Sequence, residues 1–269
     1  MATQNKMSST LDYLAAHHVF TIGEFEGALP GGSSAAAAKH RLDHAVARGW
    51  ADRAMRGVYV SRVGTFAKKQ PDAFVLASRL GHDAVVSHTS ALVALGLSHN
   101  VLRRVTFSGT SNPTRRTFGG YEYVRLRMPR ALAEEPLLGR HTVMQRTDDG
   151  PVRVTARERT LVDCLAQPRW SGGLESLMRS VGGVPSWRLD DVLDYLDFLG
   201  SPTVVARTAW VLTADPDRWH LEDGVEDALR ERLGPGPYHL GDRERPTRFV
   251  SRWRLYVPAD VEPEEWLNG

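Results

Sequence analysis

Six cationic side chains, Lys39, Arg41, Arg48, Arg53, Arg56 and Arg62, fall within one short run, KHRLDHAVARGWADRAMRGVYVSR. Guanidinium and ammonium groups at this density suit phosphate oxygens, through both charge and hydrogen bonding. The competing reading is a solvated surface on an ordinary α/β enzyme. Just upstream stand Ser33 and Ser34 and the small residues Ala36 and Ala37, of which the alanines let a backbone come close to a groove floor and touch thymine methyls. The candidate DNA-binding residues are therefore Ser33, Ser34, Ala37, Lys39, His40, Arg41, His44, Arg48, Arg53 and Arg56.

Catalytic and metal chemistry is poorly provided for. Arg157, Glu158, Arg159 and Asp163 form a charged cluster, but Thr155 and Glu158 stand at capping-box spacing, and Asp163 follows Arg159 by one helical turn. A helix start with a local ion pair explains them without catalysis. Cys164, flanked by Leu161, Val162 and Leu165, reads as a small buried hydrophobe. His40 and His44 have the i, i+4 spacing of a zinc-binding pair, yet two ligands do not make a site. The lysines are Lys6, Lys39, Lys68 and Lys69, all early in the chain, which argues against a nuclease that needs a lysine beside a metal-binding acidic pair. No G-x-x-x-x-G-K phosphate loop occurs. No catalytic residue, metal or cofactor is expected.

The elements that must position the basic run can be read from spacing. A first helix starts after Ser8 or Ser9, with Leu11, Leu14 and Ala15 inward, and ends near His17. Thr21 and Glu24 form a capping box for a second. PGGSS breaks the chain, and Ser33 or Ser34 caps a third helix over about 35–48, with Ala35, Ala38, Leu42, Ala45 and Val46 on its buried stripe. Two strands, WADRA and VYVSR, then flank the turn Met55-Arg56-Gly57. Helix, helix, turn, helix, hairpin is the order of a winged helix-turn-helix, in which the third helix enters the major groove and the wing holds phosphates.

The expected class is α+β: a winged helix-turn-helix over 1–70, then a mixed α/β domain over 71–269 with a largely helical C-terminal part. Its sheet is expected at about 101–154, helices at about 156–232 and a closing strand at about 247–257. GTSNPTRRTFGG, residues 109–120, reads as a basic loop between strands. RLDDVLDYLDFLG sets Leu189, Val192, Leu193, Leu196 and Leu199 on one helix face and Asp190, Asp191, Asp194 and Asp197 away from it.

The chain has 269 residues, ample for two cores. Its net charge of +2 conceals a polarity: residues 1–146 hold nineteen Lys and Arg against ten acids, and the remainder fifteen against twenty-two. Such a division suggests one half facing a polyanion. One cysteine, no leader-like apolar stretch and no long apolar run lead us to expect a cytoplasmic protein without membrane contact.

Three stretches, in order, resemble the AbiEi family of bacterial antitoxins: ARGWADRAMRGVYV; then Ser87, His88, Ser90-Ala91-Leu92 and Gly96-Leu97; then Glu158, Arg159, Thr160, Leu161 and Asp163 with Gly172-Gly173 after them. The likeness spans about residues 10–215. It implies a repressor that binds inverted repeats upstream of its own operon, and an antitoxin domain marked by Ser87, His88, Ser90, Glu158, Arg159, Thr160 and Asp163. That domain would neutralise a nucleotidyltransferase toxin without requiring a stable complex. The GGSSAAAAKH segment departs from the arginine-rich third helix of such relatives, which shifts phosphate affinity towards the wing. A plain winged-helix regulator, with a ligand-binding or dimerising C-terminal domain, remains the alternative.

Overall fold

A computed structural model describes residues 10–29, 34–98, 102–134, 139–241, 246–261 and 267. The class is α+β, with ten α-helices and three sheets among these residues. Two compact units divide the chain. The first takes the described residues up to Val86 with Leu102–Arg127 and Met144–Arg153. The second takes those of 87–101, Met128–Val143, and from Val154 onward.

The first unit opens with α1 (Thr10–Ala16), β1 (Val19–Thr21), α2 (Ile22–Ala28), α3 (Ala35–Ala47), β2 (Ala51–Met55) and β3 (Val58–Ser61). Strand β1 was not legible in the sequence. It pairs antiparallel with β3, Val19 opposite Val60, and β3 pairs with β2, giving the order β1-β3-β2. Aromatic rings hold the helices to this sheet: Tyr13 meets Phe20 and Phe25 edge-on at 5.1 and 5.0 Å, and Phe20 stacks on Tyr59. Such pairs each contribute about 1 kcal/mol beyond their buried area. On α1 the inner face differs from expectation. Tyr13 and Leu14 are buried, whereas Leu11 is 40 % exposed and Ala15 is also exposed. Tyr13 has the larger apolar surface to hide, and it turns the helix accordingly.

The six-stranded sheet follows, with order β6-β7-β5-β4-β9-β8. Its strands are β4 (Val85–Val86), β5 (Arg104–Gly109), β6 (Thr114–Phe118), β7 (Tyr121–Arg127), β8 (Thr142–Thr147) and β9 (Gly150–Thr155). Part of the expected basic loop at 109–120 is thus an edge strand. Thr114, Thr117 and Phe118 are β-formers, and Gly119-Gly120, both at positive φ, turn the chain into β7. Helix α4 (Ala73–Ser78) is capped by Asp72, whose carboxylate accepts from the amides of Phe74 and Val75.

The second unit contains α5 (Thr89–Ala94), α6 (Arg157–Ala166), α7 (Leu174–Gly182), α8 (Leu189–Leu199), α9 (Pro202–Leu212) and α10 (Val225–Glu231). Helix α6 packs on α5, α8 and α9. Gly200, at φ 58°, closes α8, and Pro202 opens α9 where its missing N–H costs nothing. The expected closing strand is two strands, β11 (Thr247–Val250) and β12 (Leu255–Pro258), paired antiparallel around a 3-10 turn at Ser251–Trp253. Trp253 is buried at that turn, and Arg254 takes a left-handed φ to reverse the chain. A short β10 (Tyr238–His239) pairs parallel with β12.

Candidate functional site

The basic helix α3 is positioned by two caps and one core. Thr21 and Glu24 form the anticipated capping box at the start of α2: the Glu24 amide donates to Thr21 Oγ1 at 3.1 Å, and the Thr21 amide donates to Glu24 Oε2 at 2.7 Å. Ser34 caps α3, its Oγ accepting from the Ala37 amide at 3.3 Å. Ser33 lies outside the described residues. Ala38, Leu42 and Ala45 are buried against Tyr13, Leu14, Phe20, Phe25 and Tyr59. Ala35 is exposed and Val46 only half-buried, so the inner stripe is narrower than the one expected.

The opposite face is left to solvent. Ser34, Lys39, His40, Arg41, His44 and Arg48 are exposed there, and Ala37 is half-buried. At 13 residues the helix is about 20 Å long, enough to follow a groove for part of a turn. Its only acid is Asp43, which accepts from Lys39 Nζ at 2.6 Å; that hydrogen bond holds the Asp43 carboxyl below its ordinary value. Lys39 is thereby partly neutralised on the helix itself. Arg48 lies over the Trp50 ring at 6.0 Å, and Arg53 over Tyr59 at the same distance, each arginine remaining exposed. Arg56 sits in the β2–β3 turn, which Gly57 makes at φ 78°. The exposed positive charge is therefore divided between one helix and one hairpin.

A second feature of this unit was missed in the sequence. Asp149, in the turn between β8 and β9, has a side chain only 1 % exposed. It lies 2.8 Å from His18 Nδ1 and accepts from Lys69 Nζ and from the Asp72 amide, each at 2.7 Å. Burial alone would raise its carboxyl, but the three donors outweigh that and hold it below the ordinary 3.8. Partners 77 to 131 residues away in the chain give no local signal.

The residues behind the family resemblance come together in the second unit, inside it. Ser87, His88, Ser90, Glu158, Arg159, Thr160 and Asp163 are all buried. Arg159 Nε donates to Asp163 Oδ2 at 3.3 Å, and its Nη1 to the carbonyl of Arg140 at 3.0 Å. Tyr195 Oη donates to the other Asp163 oxygen at 2.6 Å, and the Arg159 guanidinium lies over the Tyr195 ring. His88 begins α5 with φ 55° and ψ −136°, its Nδ1 3.0 Å from Ser87 Oγ. Burial pushes its imidazole below the ordinary value; the Asp163 charge acts in the opposite direction. The expected capping box at Thr155 does not form. Ala156 occupies the N-cap, and Thr155 Oγ1 instead meets Thr160 Oγ1 at 2.7 Å. Glu158 accepts from Arg157 and from the Arg188 amide. A side chain packed inward cannot also reach back along the surface of its helix.

Other candidates resolve plainly. Burial, then the Asp163 charge, pushes the Cys164 thiol up, so it stays protonated and unreactive. No group of three or more His, Cys, Asp or Glu is placed to hold a metal among the described residues. The acidic side of α8 is largely engaged within its own unit. Asp191 pairs with Arg188, Asp194 with Arg140 at 2.8 Å and His141 at 2.7 Å, and Asp197 with Arg232 at 2.7 Å. No helix of the described residues is long and apolar enough to cross a membrane.

Comparison with known proteins finds likeness in fold only. No family model matches the chain, and no curated protein matches it in sequence. Among solved structures the likeness is one of fold. The crystal structure of the RV2827C protein from Mycobacterium tuberculosis superposes with a TM-score of 0.61 at 16 % identity, covering 96 % of this chain and 93 % of that one. The shared architecture therefore runs nearly end to end in both, and at this identity it speaks for fold alone.

Proposed function

We propose that the protein is a DNA-binding repressor of its own operon and the antitoxin of a nucleotidyltransferase-type toxin, acting by binding rather than catalysis. The observation that carries this reading is the succession α1–β1–α2–α3–β2–β3 with sheet order β1-β3-β2, its third helix capped, basic and exposed. We read this succession as a winged helix-turn-helix, whose order of helices and hairpin it follows. In it α3 lies in the major groove, with Ser34, Ala37 and His40 nearest the bases, while Arg53 and Arg56 on the wing hold phosphates. The DNA-binding function is assigned to residues 1–70 and the antitoxin function to the remainder; the operator is a set of inverted repeats upstream of the gene.

The antitoxin half rests on the AbiEi resemblance. The burial of its motif residues gives them a framing role, holding α5, α6 and α8 together. A second reading, a plain regulator, is favoured by the same burial and by the internal pairing of the α8 aspartates, which leave the motif without an exposed contact surface.

Two measurements test the proposal. A fragment from upstream of the gene should bind about 10³-fold or more tightly than random duplex; equal affinity at moderate salt overturns the repressor reading. Co-expression with a nucleotidyltransferase encoded next to it should restore growth, and failure to do so leaves the plain regulator standing.

A further inference from the structure

We propose that the β6–β7 hairpin is a second phosphate-contacting element, in which Arg115 and Arg116 extend the track of duplex DNA begun by α3 and the β2–β3 hairpin. The inference rests on the DNA-binding reading above and assigns that reading a surface outside residues 1–70.

Three observations carry it. First, β6 is an edge strand of the six-stranded sheet and β2 an edge strand of the three-stranded one, and the two strands lie against each other within the first unit. The proposed wing and this hairpin are thus neighbours on one compact body. Second, the segment from Arg103 to Arg127 carries six arginines against a single acid, Glu122. Glu122 is engaged by Arg104 at 2.5 Å and by Arg115 at 3.5 Å, and the Arg115 side chain is 62 % exposed. Arg116 is exposed, has no carboxylate partner among the described residues, and donates from Nη1 to the Arg115 carbonyl. Third, Ser111, Asn112 and Thr117 are exposed beside these arginines. Short hydroxyl and amide donors interleaved with arginine are the usual composition of a phosphate contact.

Charge on an edge strand also serves to prevent strands of different molecules from pairing. That role needs only charge of either sign, whereas phosphate binding needs positive charge. The experiment uses the full chain and a long duplex from upstream of its gene, with binding followed across a salt series. Arg115→Gln with Arg116→Gln should reduce the slope of log K against log salt by about 2, one per lost contact. Arg115→Lys with Arg116→Lys should restore it. On a duplex trimmed to the core site, wild type and the Gln variant should bind alike. Size-exclusion chromatography and the melting temperature should be unchanged. A wild type that prefers its upstream fragment, together with a Gln variant of equal slope, overturns this inference alone. Aggregation of the Gln variant with an unchanged slope for its monomer does the same and assigns the arginines to edge protection. A wild type without preference for any duplex overturns the repressor reading and this inference with it.

Discussion

The two units use charge in opposite ways. In the first, Arg41, Arg48, Arg53 and Arg56 stand exposed on a helix and a hairpin. In the second, Arg159 is fully buried, with Asp163 and Tyr195 fitted around it. An exposed guanidinium keeps its water and loses little when left unpaired, so it stays free to exchange counterions for phosphates. A buried one must be matched, and its partners then become fixed points of the fold. Exposed arginines can therefore change with the ligand, while buried ones constrain the architecture. The motif around Glu158–Asp163 belongs to the second kind, which is why a shared motif need not mark a surface that meets a partner.

The sharpest test of this contrast removes the buried cation. Arg159→Ala strands the Asp163 carboxylate in the interior with Tyr195 as its remaining side-chain donor, and breaking a buried pair in this way costs about 3–5 kcal/mol. Thermal unfolding should show a large drop in melting temperature. On the proposed antitoxin role, growth rescue should fail at 37 °C and recover at lower temperature, tracking the folded fraction. A variant that keeps its melting temperature but loses rescue would break the comparison, because Arg159 would then be a contact residue.

Asp149 is the first unit's own buried charge, and its effect should come next. Asp149→Asn keeps one acceptor for its three donors, so a loss of about 2 kcal/mol is expected. The pH dependence has a definite sign. A carboxyl held below its ordinary value stabilises the fold above that value, and the contribution fades as pH falls through the lowered one. Wild type should therefore lose more stability than Asp149→Asn between pH 5 and the onset of acid unfolding, and denaturant titrations at stepped pH measure the gap. Because His18 and Lys69 supply two of the contacts to Asp149, a chain cut at residue 70 would strand that carboxylate. Point variants in the full chain are the cleaner way to separate the two proposed functions.

What the sequence disclosed follows the range of the interactions. The capping box of Thr21 and Glu24, the Ser34 cap and the Arg159–Asp163 pair all act within about one helical turn, and each was legible. The features that escaped depend on distant partners. Strand β1 exists because β3 lies beside it, 39 residues on at Phe20 and Tyr59. Thr155 abandons its expected cap because Thr160, inside the helix, engages its hydroxyl and its carbonyl. The acidic face of α8 looked open because Arg140, His141 and Arg232 are remote in sequence. Tyr195, spaced as an ordinary helix aromatic, gave no sign that it completes the Arg159–Asp163 pair.

A milder change isolates that last contact. Tyr195→Phe deletes a single hydroxyl and leaves the ring under the Arg159 guanidinium. The lost donor should cost about 1–2 kcal/mol, since one Asp163 oxygen is left less well satisfied in the interior. Denaturant unfolding of Tyr195→Phe, Arg159→Ala and the double variant then measures their coupling. Strict additivity would show that the hydroxyl stabilises Asp163 independently of the arginine, and the buried set would have to be treated as separate pairs.

The smallest effect on stability is expected where the effect on binding is proposed. Arg56 is exposed in the β2–β3 turn, and Gly57, not Arg56, meets the backbone demand of that turn. Arg56→Ala should change stability by no more than about 0.5 kcal/mol. The same substitution should lower affinity for specific and random duplex by the same factor and reduce the salt slope by about 1, because a phosphate contact carries no sequence information. Changes at Ser34, Ala37 or His40 should behave in the reverse manner, altering which duplex is preferred more than how tightly duplexes bind overall. The pairing of the two readouts matters more than either alone. A lower melting temperature for Arg56→Ala would place this arginine among the fold-holding charges, and a changed sequence preference would make it a base reader. With neither, and with unchanged binding, the β2–β3 hairpin is no wing and the exposed arginines of the first unit need another partner.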